Sequence, residues 1–524
     1  MEYSIYKDEK VENTVDKIKN ILKSIGIETE VQHIRGDKNG QTATSTRIVI
    51  KETAIGTNGK GTCSKNALAS GYAEFLERLQ NRILIDYSPY DCKYITYDEL
   101  KETGYFRETI QNKLADSFIK IFDEQNQSNS IKATPFYNVK DNKIHYIPES
   151  FINYLQGTNG MAAGNTKEEA LVQGISEICE RYAVKKVILE KISMPDIPKE
   201  LYINYDNIKN MINDYEKIGY KIYIKDASLG QNIPAICLIA ENKKENIFLL
   251  QFGAHPSLQI AIERCLTEVV QGADITDEEY FLQEKNHFYF SNKMINYILD
   301  NDLLISQLFR SRRAFEYDNP FREFLLNKTN NYKFVTNPWI NPNEIYTNKE
   351  ILNFLLKNIK AITNNNIYIR DYSFLKFPAF YIFIPTMSLV FNINEDFVKG
   401  VLDYNSWQKY TDQKYDDKYN DIKNLISACN YCIKFFDFAT NRYPWEYLLL
   451  LCYITVNDRK NIINQCNLLK EILKYKSILT NKVQTRINII CDYYSDEYLK
   501  LNENEKIAKL KENYDEENIK KAII

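Results

Sequence analysis

The sequence predicts an α+β domain over residues 1–395, with mixed sheets and glutamate-rich helices, followed by an all-α, helical-repeat-like domain over residues 396–524. Three observations carry that division. Sixteen of the seventeen glycines lie at or before Gly272, and only Gly400 follows. After Gly400 there is a single proline, Pro444, so the C-terminal stretch is too poor in turn-forming residues for many tight hairpins. Before it, β-branched alternating runs are interleaved with segments of helical spacing.

Taken in order, Asn13–Ile25 carries its apolar residues at helical spacing. Thr44–Thr53 alternates and is β-branched, so it is expected as a strand. Ile233–Ala240 and Ile247–Phe252 are expected as a strand pair around the polar turn Glu241–Glu245. The proline-interrupted run Phe377–Phe391 is expected to hold buried strands. Past residue 400, Ile422, Leu425, Ile426, Cys429 and Cys432–Phe436 recur with helical period, as antiparallel helix pairs would require. Asn502–Lys521 is polar enough to be a solvated terminal helix.

Composition excludes several classes. The chain has 524 residues, enough for two to four domains at roughly 100–200 residues each. Lys and Arg total 67 against 70 Asp and Glu, a net charge of -3 that argues against a dedicated nucleic-acid binder. At 44% hydrophobic residues it is too apolar for a disordered chain. The charged start Met1–Lys10 is not a signal peptide. The longest apolar run, Tyr447–Val456, is far below the ~20 residues that span a bilayer. A soluble cytoplasmic protein is expected. Ten cysteines in so long a chain are no disulfide framework, and most sit inside apolar runs as small buried hydrophobes. Cys429 and Cys432 have the spacing of a metal or redox pair, but no second pair or nearby histidine completes a zinc site and the surroundings read as helix, so buried thiols are expected. His33, His145, His255 and His287 form no ligand cluster.

The most informative feature is a motif that occurs three times. Ala67-Leu68-x-x-Gly71-x-x-Glu74-x-x-Glu77-Arg78 recurs as Ala170-Leu171-x-x-Gly174-x-x-Glu177-x-x-Glu180-Arg181. A weaker copy is Ala261-Ile262-x-Arg264-x-x-x-Glu268-x-x-Gln271. The first two follow a Thr-Asn-Gly element, at 57–59 and 158–160, which is expected as a glycine-rich turn. Residues three and four apart share a helix face, so Ser70, Glu74 and Glu77 form one polar stripe. Glu169, Gln173, Glu177 and Glu180 form a second, and Arg264, Glu268 and Gln271 a third. One such helix alone is most simply a solvated face. Three in one register ask for a shared cause.

Carboxylates crowded to ~4 Å repel by about 4 kcal/mol per pair at an effective dielectric near 20, so convergence of the three stripes would need cations. Hard oxygen ligands without histidine or thiolate point to Mg2+, which usually completes its shell with water and phosphate oxygens. A nucleotide is then the natural ligand, with Arg181 and Arg264 meeting phosphate. The segment Gly56-Thr-Asn-Gly-Lys60-Gly61-Thr62 is no P-loop, because two residues rather than four separate its glycines and Lys60 is followed by Gly61.

These motifs resemble the YcaO family of ATP-dependent peptide-modifying enzymes. The likeness runs through Thr57–Arg78, Thr158–Arg181 and Phe252-Gly-Ala-His-Pro256 to Gln271, and extends to Lys7-Asp8, Thr14, Asp226–Gly230 and Ile384–Ser388. The resemblance implies an ATP site built by glutamate-rich helices. In it, Glu74, Glu77, Glu177, Glu180 and Glu268 look like Mg2+ ligands. Ser70, Asn165, Glu169, Arg181 and Arg264 look like nucleotide and phosphate contacts, and Lys7 and Thr14 align with residues near the adenosine.

The family chemistry so implied is phosphorylation of a peptide-backbone amide oxygen: a nucleophile adds to the amide carbon, ATP phosphorylates the oxygen, and phosphate leaves. A side-chain nucleophile yields an azoline, sulfide a thioamide, an amine an amidine. The chain departs from azoline-forming members in ending Lys521-Ala-Ile-Ile524 without a proline-rich tail, and in having Thr386 where the late motif has glycine. The member that names the family also lacks that tail, carries a helical-repeat domain, and is linked to methylthiolation of a small-subunit ribosomal protein. An accessory role in that modification is therefore an alternative expectation. A nucleotide-bound scaffold presenting a peptide is another. The resemblance also implies a peptide or protein substrate, a homodimer, and a separate partner chain for leader binding, sulfur transfer or methylthiolation.

Overall fold

In the computed structural model the described residues are 6–35, 43–53, 55–84, 92–126, 129–270, 289–290, 314–327, 329–390, 393–395, 398, 426, 443–473, 481–495 and 497–523. Gln271, the Cys429 and Cys432 pair, and the helical spacing at 422–436 apart from Ile426 lie outside them. So does most of the junction between the two expected domains.

The N-terminal unit opens with helix α1 (Val11–Ser24), which buries Thr14, Ile18 and Leu22 on one face. Strands β1 (Thr29–Arg35), β2 (Thr44–Ile50) and β3 (Gly56–Gly61) form an antiparallel three-stranded sheet. Helix α2 (Ser64–Gln80) covers it, and Ile18 and Leu22 meet Ile48, Tyr72, Phe75 and Leu76 in one apolar cluster. The first Thr-Asn-Gly element therefore lies in strand β3, paired with β2, and not in a turn. The reason is steric. A Cβ on Gly59 would come within 2.1 Å of the Ala67 carbonyl and 2.4 Å of the Gly71 nitrogen, so the glycines let strand and helix backbones touch. The second element does form a turn, with Gly160 at φ +86 just before the next strand of that kind.

The chain continues through β4 (Lys93–Thr96), helices α3 (Tyr97–Glu102), α4 (Gly104–Thr109) and α5 (Ala115–Asn126), and strands β5 (Ser130–Asn138) and β6 (Lys143–Ile147). Helix α6 (Glu149–Gln156), strand β7 (Met161–Ala163) and the long helix α7 (Lys167–Leu189) follow. After α8 (Asp206–Lys217) come β8 (Lys221–Asp226), β9 (Ala235–Asn242), β10 (Ile247–Ala254) and helix α9 (Leu258–Val270). Beyond them lie β11 (Tyr289–Phe290), β12 (Ala314–Phe315), α10 (Pro320–Leu325), α11 (Asn348–Thr363), β13 (Tyr368–Asp371) and β14 (Ala379–Phe383). Two further sheets result, in the orders β11-β12-β10-β9-β8 and β4-β5-β13-β14-β7, with β6 on β5. The β9–β10 hairpin is the expected strand pair, and the Phe377–Phe391 run contributes β14.

Helix α7 packs against β9 and β10 of one sheet and β7 and β14 of the other. Its Ile175, Ile178, Cys179 and Val187 share a core with Cys237, Ile239, Leu250, Phe252, Phe380 and Ile382. A helix between two sheets is buried nearly all round. From Glu169 to Val184 only Gln173, Glu177 and Arg181 are not buried, a single i,i+4 stripe left open.

The described C-terminal residues are helical, as expected: α12 (Tyr443–Thr455), α13 (Arg459–Leu473), α14 (Asn481–Tyr493), α15 (Glu503–Leu510) and α16 (Glu516–Ile523). The expected terminal helix Asn502–Lys521 is two helices separated by a turn. They are not wholly solvated, because Lys506, Leu510 and Ile519 are buried. Among the described residues no helix is long and apolar enough to cross a membrane.

Candidate functional site

Each glutamate-rich helix is placed by the strand before it through the same close contact. Gly59 of β3 lies against Gly71 of α2. A Cβ on Gly174 of α7 would sit 3.0 Å from the Ala162 Cβ of β7, and one on Gly253 of β10 would sit 2.7 Å from the Cys265 sulfur of α9. The sequence separation is equal in the three pairs. Small residues at these points bring each helix onto its strand in one register, which sets the direction of the glutamates one turn further on.

The carboxylates converge. Burial raises the Glu74 pKa; Arg78 and Lys60 oppose that, and the nearby Glu177 adds to it. Burial pushes Glu77 up to about 8 despite Arg78, with Glu74 and Glu177 contributing in the same direction. Glutamates of α2 and α7 therefore share one space. Arg78 keeps it tolerable, with Nη1 3.1 Å from Glu77 and Nη2 3.7 Å from Glu74. On α7, Arg181 stands 3.9 Å from both Glu177 and Glu180. The third helix is tied in twice: Lys60 of β3 forms an ion pair with Glu268, and Arg264 donates to the Gln173 side chain at 3.0 Å. Ser70 is half-buried on α2, one turn before Glu74.

The other expected nucleotide residues gather at the N-terminus of α7. Thr166 caps that helix by accepting from the Glu169 N–H. Glu169 is buried and binds the N-terminal segment, accepting from Lys7 Nζ at 2.8 Å and from the Asp8 N–H at 3.1 Å. Thr14 of α1 donates to Asn165 Oδ1 at 2.9 Å, and the Asn165 amide reaches Glu169 at 3.3 Å. Lys7, Thr14, Asn165 and Glu169 are thus one hydrogen-bonded cluster. His255 is buried beside it, its ring 5.7 Å from Tyr6. Burial, together with the charges of Arg264 and Lys7, holds its pKa well below the usual imidazole range.

The expected site residues fall into two groups, the polar side chains of α2, α7 and α9 and the hydrogen-bonded cluster at the N-terminus of α7; Lys60 and His255 are not among those expected. Both stand in the strand or turn before a glutamate helix rather than on its stripe, so helical periodicity carries no signal for them. The one signal available was their place in the segments that lead into the recurring motifs.

The donor set suits Mg2+: hard carboxylates from three helices, ringed by Lys60, Arg78, Arg181 and Arg264. Among the described residues no three acidic, histidine or cysteine side chains are gathered closely enough to hold an ion by themselves. A raised Glu77 pKa means that ion binding there displaces a proton.

Comparison with known proteins places this site in context. Residues 58–388 match the family described as YcaO cyclodehydratase, ATP- and Mg2+-binding. An uncharacterized protein of Haemophilus influenzae is 31% identical over 381 residues, 67% of this chain and 62% of the relative. The Escherichia coli ribosomal protein S12 methylthiotransferase accessory factor YcaO is 29% identical over 412 residues, 74% of this chain and 66% of the relative. The chain thus spans slightly under two thirds of each relative's length. A heterocyclase solved in complex with substrate and cofactor matches with a TM-score of 0.53 and 20% identity, over 73% of this chain and 53% of its own. The YcaO protein of Methanopyrus kandleri bound with AMPPCP and Mg2+ matches with a TM-score of 0.46 and 14% identity, over 74% and 96%.

Proposed function

The chain belongs to the YcaO family, and from that premise we propose that it uses ATP and Mg2+ to activate a peptide-backbone amide by O-phosphorylation. The observation that supports this most is the convergence of glutamates from α2, α7 and α9 on one space ringed by cations. In this reading Glu74, Glu77, Glu177, Glu180 and Glu268 hold Mg2+. The ion supplies positive charge beside the phosphoryl group in transfer. Arg181 and Arg264 bind phosphate oxygens, Ser70 hydrogen-bonds the nucleotide, and Lys7, Thr14, Asn165 and Glu169 hold its adenosine side. An amide oxygen is a poor nucleophile, so fixing peptide and nucleotide in line contributes much of the rate. The open stripe of α7 lies on the buried helix between two sheets, a rigid support for that alignment.

The product depends on what adds to the amide carbon: a cysteine, serine or threonine side chain gives cyclodehydration, sulfide gives thioamidation. A separate partner protein would deliver the peptide or the sulfur, and a TPR-like C-terminal domain would mediate a homodimer in the cytoplasm. Identity to the Escherichia coli accessory factor favours a second reading, assistance in methylthiolation of a small-subunit ribosomal protein. A scaffold that holds a nucleotide without turning it over would bind ATP and show no substrate-dependent hydrolysis.

The test is nucleotide binding and ATP hydrolysis by the pure protein and by Glu177→Ala. Loss of a metal-holding carboxylate is expected to lower Mg2+-dependent hydrolysis at least about 100-fold. Equal rates and equal binding would reject the site. Weighing the ribosomal protein from a strain lacking this gene tests the second reading, and an unchanged mass removes it.

A further inference from the structure

His255 has the features of a contact that is waiting for a ligand. It follows β10 in the turn Ala254-His-Pro-Ser257 that leads into α9, and only 6% of it is exposed. The Ser257 backbone N–H donates to its Nδ1 at 2.9 Å. An atom that accepts a hydrogen bond carries no proton, so in the neutral ring the proton sits on Nε2. Among the described residues no hydrogen bond reaches Nε2, and that atom is not one of the sealed, unpartnered polar atoms of the interior. The Nε2–H edge of the ring is therefore without a partner among the described residues, next to the turn into α9. The positive charges that act on it come from two elements, Lys7 before α1 and Arg264 on α9. Both are cations of the nucleotide cluster, Lys7 bound to Glu169 and Arg264 to Gln173.

In a residue this buried, a donor left without a partner costs free energy unless a ligand or water satisfies it. A donor that feels two nearby positive charges suits an anionic oxygen. Resting on the reading of this cleft as an ATP site, we propose that His255 contacts the nucleotide itself. Fixed as the Nε2–H tautomer, it offers one uncharged hydrogen-bond donor to a phosphate oxygen where the adenosine side, held by Lys7, meets the phosphates, held by Arg264. A third positive charge in that place would repel both neighbours, whereas a neutral imidazole adds a directed bond without that cost. The Ser257 N–H is the positioning group that selects the tautomer.

Two substitutions separate the two nitrogens. His255→Asn leaves an oxygen near Nδ1 to accept from Ser257 but removes the distal donor. His255→Gln places an amide N–H near Nε2. Calorimetry on the full-length protein with Mg2+ would compare ATP, AMP and adenosine. His255→Asn is expected to bind ATP and AMP about tenfold more weakly, with adenosine unchanged, and His255→Gln to recover most of the loss. Unchanged ATP affinity in His255→Asn would overturn the proposal, as would an equal loss for adenosine. Nitrogen-15 spectra of the unmodified protein give a readout that does not depend on variants folding. The Nε2–H signal of His255 is expected to shift on adding ATP, and a protonated Nδ1 or an unmoved signal would sink the idea. A wild-type protein that binds no ATP would remove the ATP site and this contact together. Wild-type binding with an indifferent Asn variant removes the contact alone.

Discussion

Lys60 shows how a single side chain sets the state of a charged cleft. It reaches from β3 to Glu268 of α9 and lowers the cost of ionising Glu74. It stands where a cation is needed and would compete with Mg2+ for the same carboxylate. Replacing it in Lys60→Met is expected to strengthen binding of Mg2+ alone and weaken binding of ATP, each by roughly tenfold, as titration calorimetry would read. Weakened Mg2+ binding would argue that Lys60 holds the cleft open instead. Asp226 offers a titration away from the metal site. Its Oδ1 accepts from the Ser228 N–H at 2.9 Å, while Oδ2 is buried without a hydrogen-bond partner among the described residues. Burial pushes its pKa up to about 6, above the 3.8 of a free carboxyl. A raised folded-state value means the folded protein holds the proton more tightly, so this contribution is complete below about pH 4 and is lost as pH rises through about 6. Wild type should lose stability relative to Asp226→Asn across that window, by up to about 3 kcal/mol. A constant difference between the two melting curves from pH 4 to 7 would contradict it.

The element that matters most is the strand followed by a glutamate-bearing helix, used three times. Its glycines were legible as a repeated spacing, and so was the register of the glutamates, because both are local periodicities. That Thr57–Gly61 would be a strand rather than a turn was not legible. The glycines there serve a contact with α2, and a contact partner is invisible to local pattern. Gly59→Ala would drive a Cβ into the Ala67 carbonyl. It should cost about 2 kcal/mol or more and impair nucleotide binding, since α2 must back away with Glu74 and Glu77 on it. Gly104→Ala is the control, because nothing lies within 4 Å of its Cβ and alanine suits a helix better. Thermal denaturation would separate the two; a Gly59→Ala protein as stable as the control would mean the close approach is dispensable. The terminal helices teach the reverse lesson. Polar composition predicted one solvated helix, yet Leu510 and Ile519 bury against Ile489 and Tyr498, and the chain breaks to let them do so.

On the scale of the molecule, α13 joins two environments. Ile462, Cys466 and Leu469 pack within the C-terminal helices, while Leu468 belongs to the core that contains α7. The eight described cysteines are free, and six of them are the small buried hydrophobes expected, while Cys63 is half-buried and Cys92 exposed. The homodimer is a proposal that light scattering decides: twice the chain mass of 61.6 kDa is expected at micromolar concentration. A monomer there would remove it.

Taken by itself, the sequence determined which residues share a helix face, how often that face recurs, and that the described C-terminal residues are helical. Each of these follows from spacing along the chain, at 3.6 residues per turn or from the absence of turn formers. Only the tertiary structure decided that the three stripes meet, that Lys60 and Arg78 offset their charge, and that Glu169 spends its oxygens on Lys7 and Asp8. It alone shows His255 with Nδ1 bonded by the Ser257 N–H and no hydrogen bond to Nε2 among the described residues. Convergence depends on where glycine lets backbones touch and on how sheets stack around α7, and those distances lie between segments far apart in the chain, where no local period reaches.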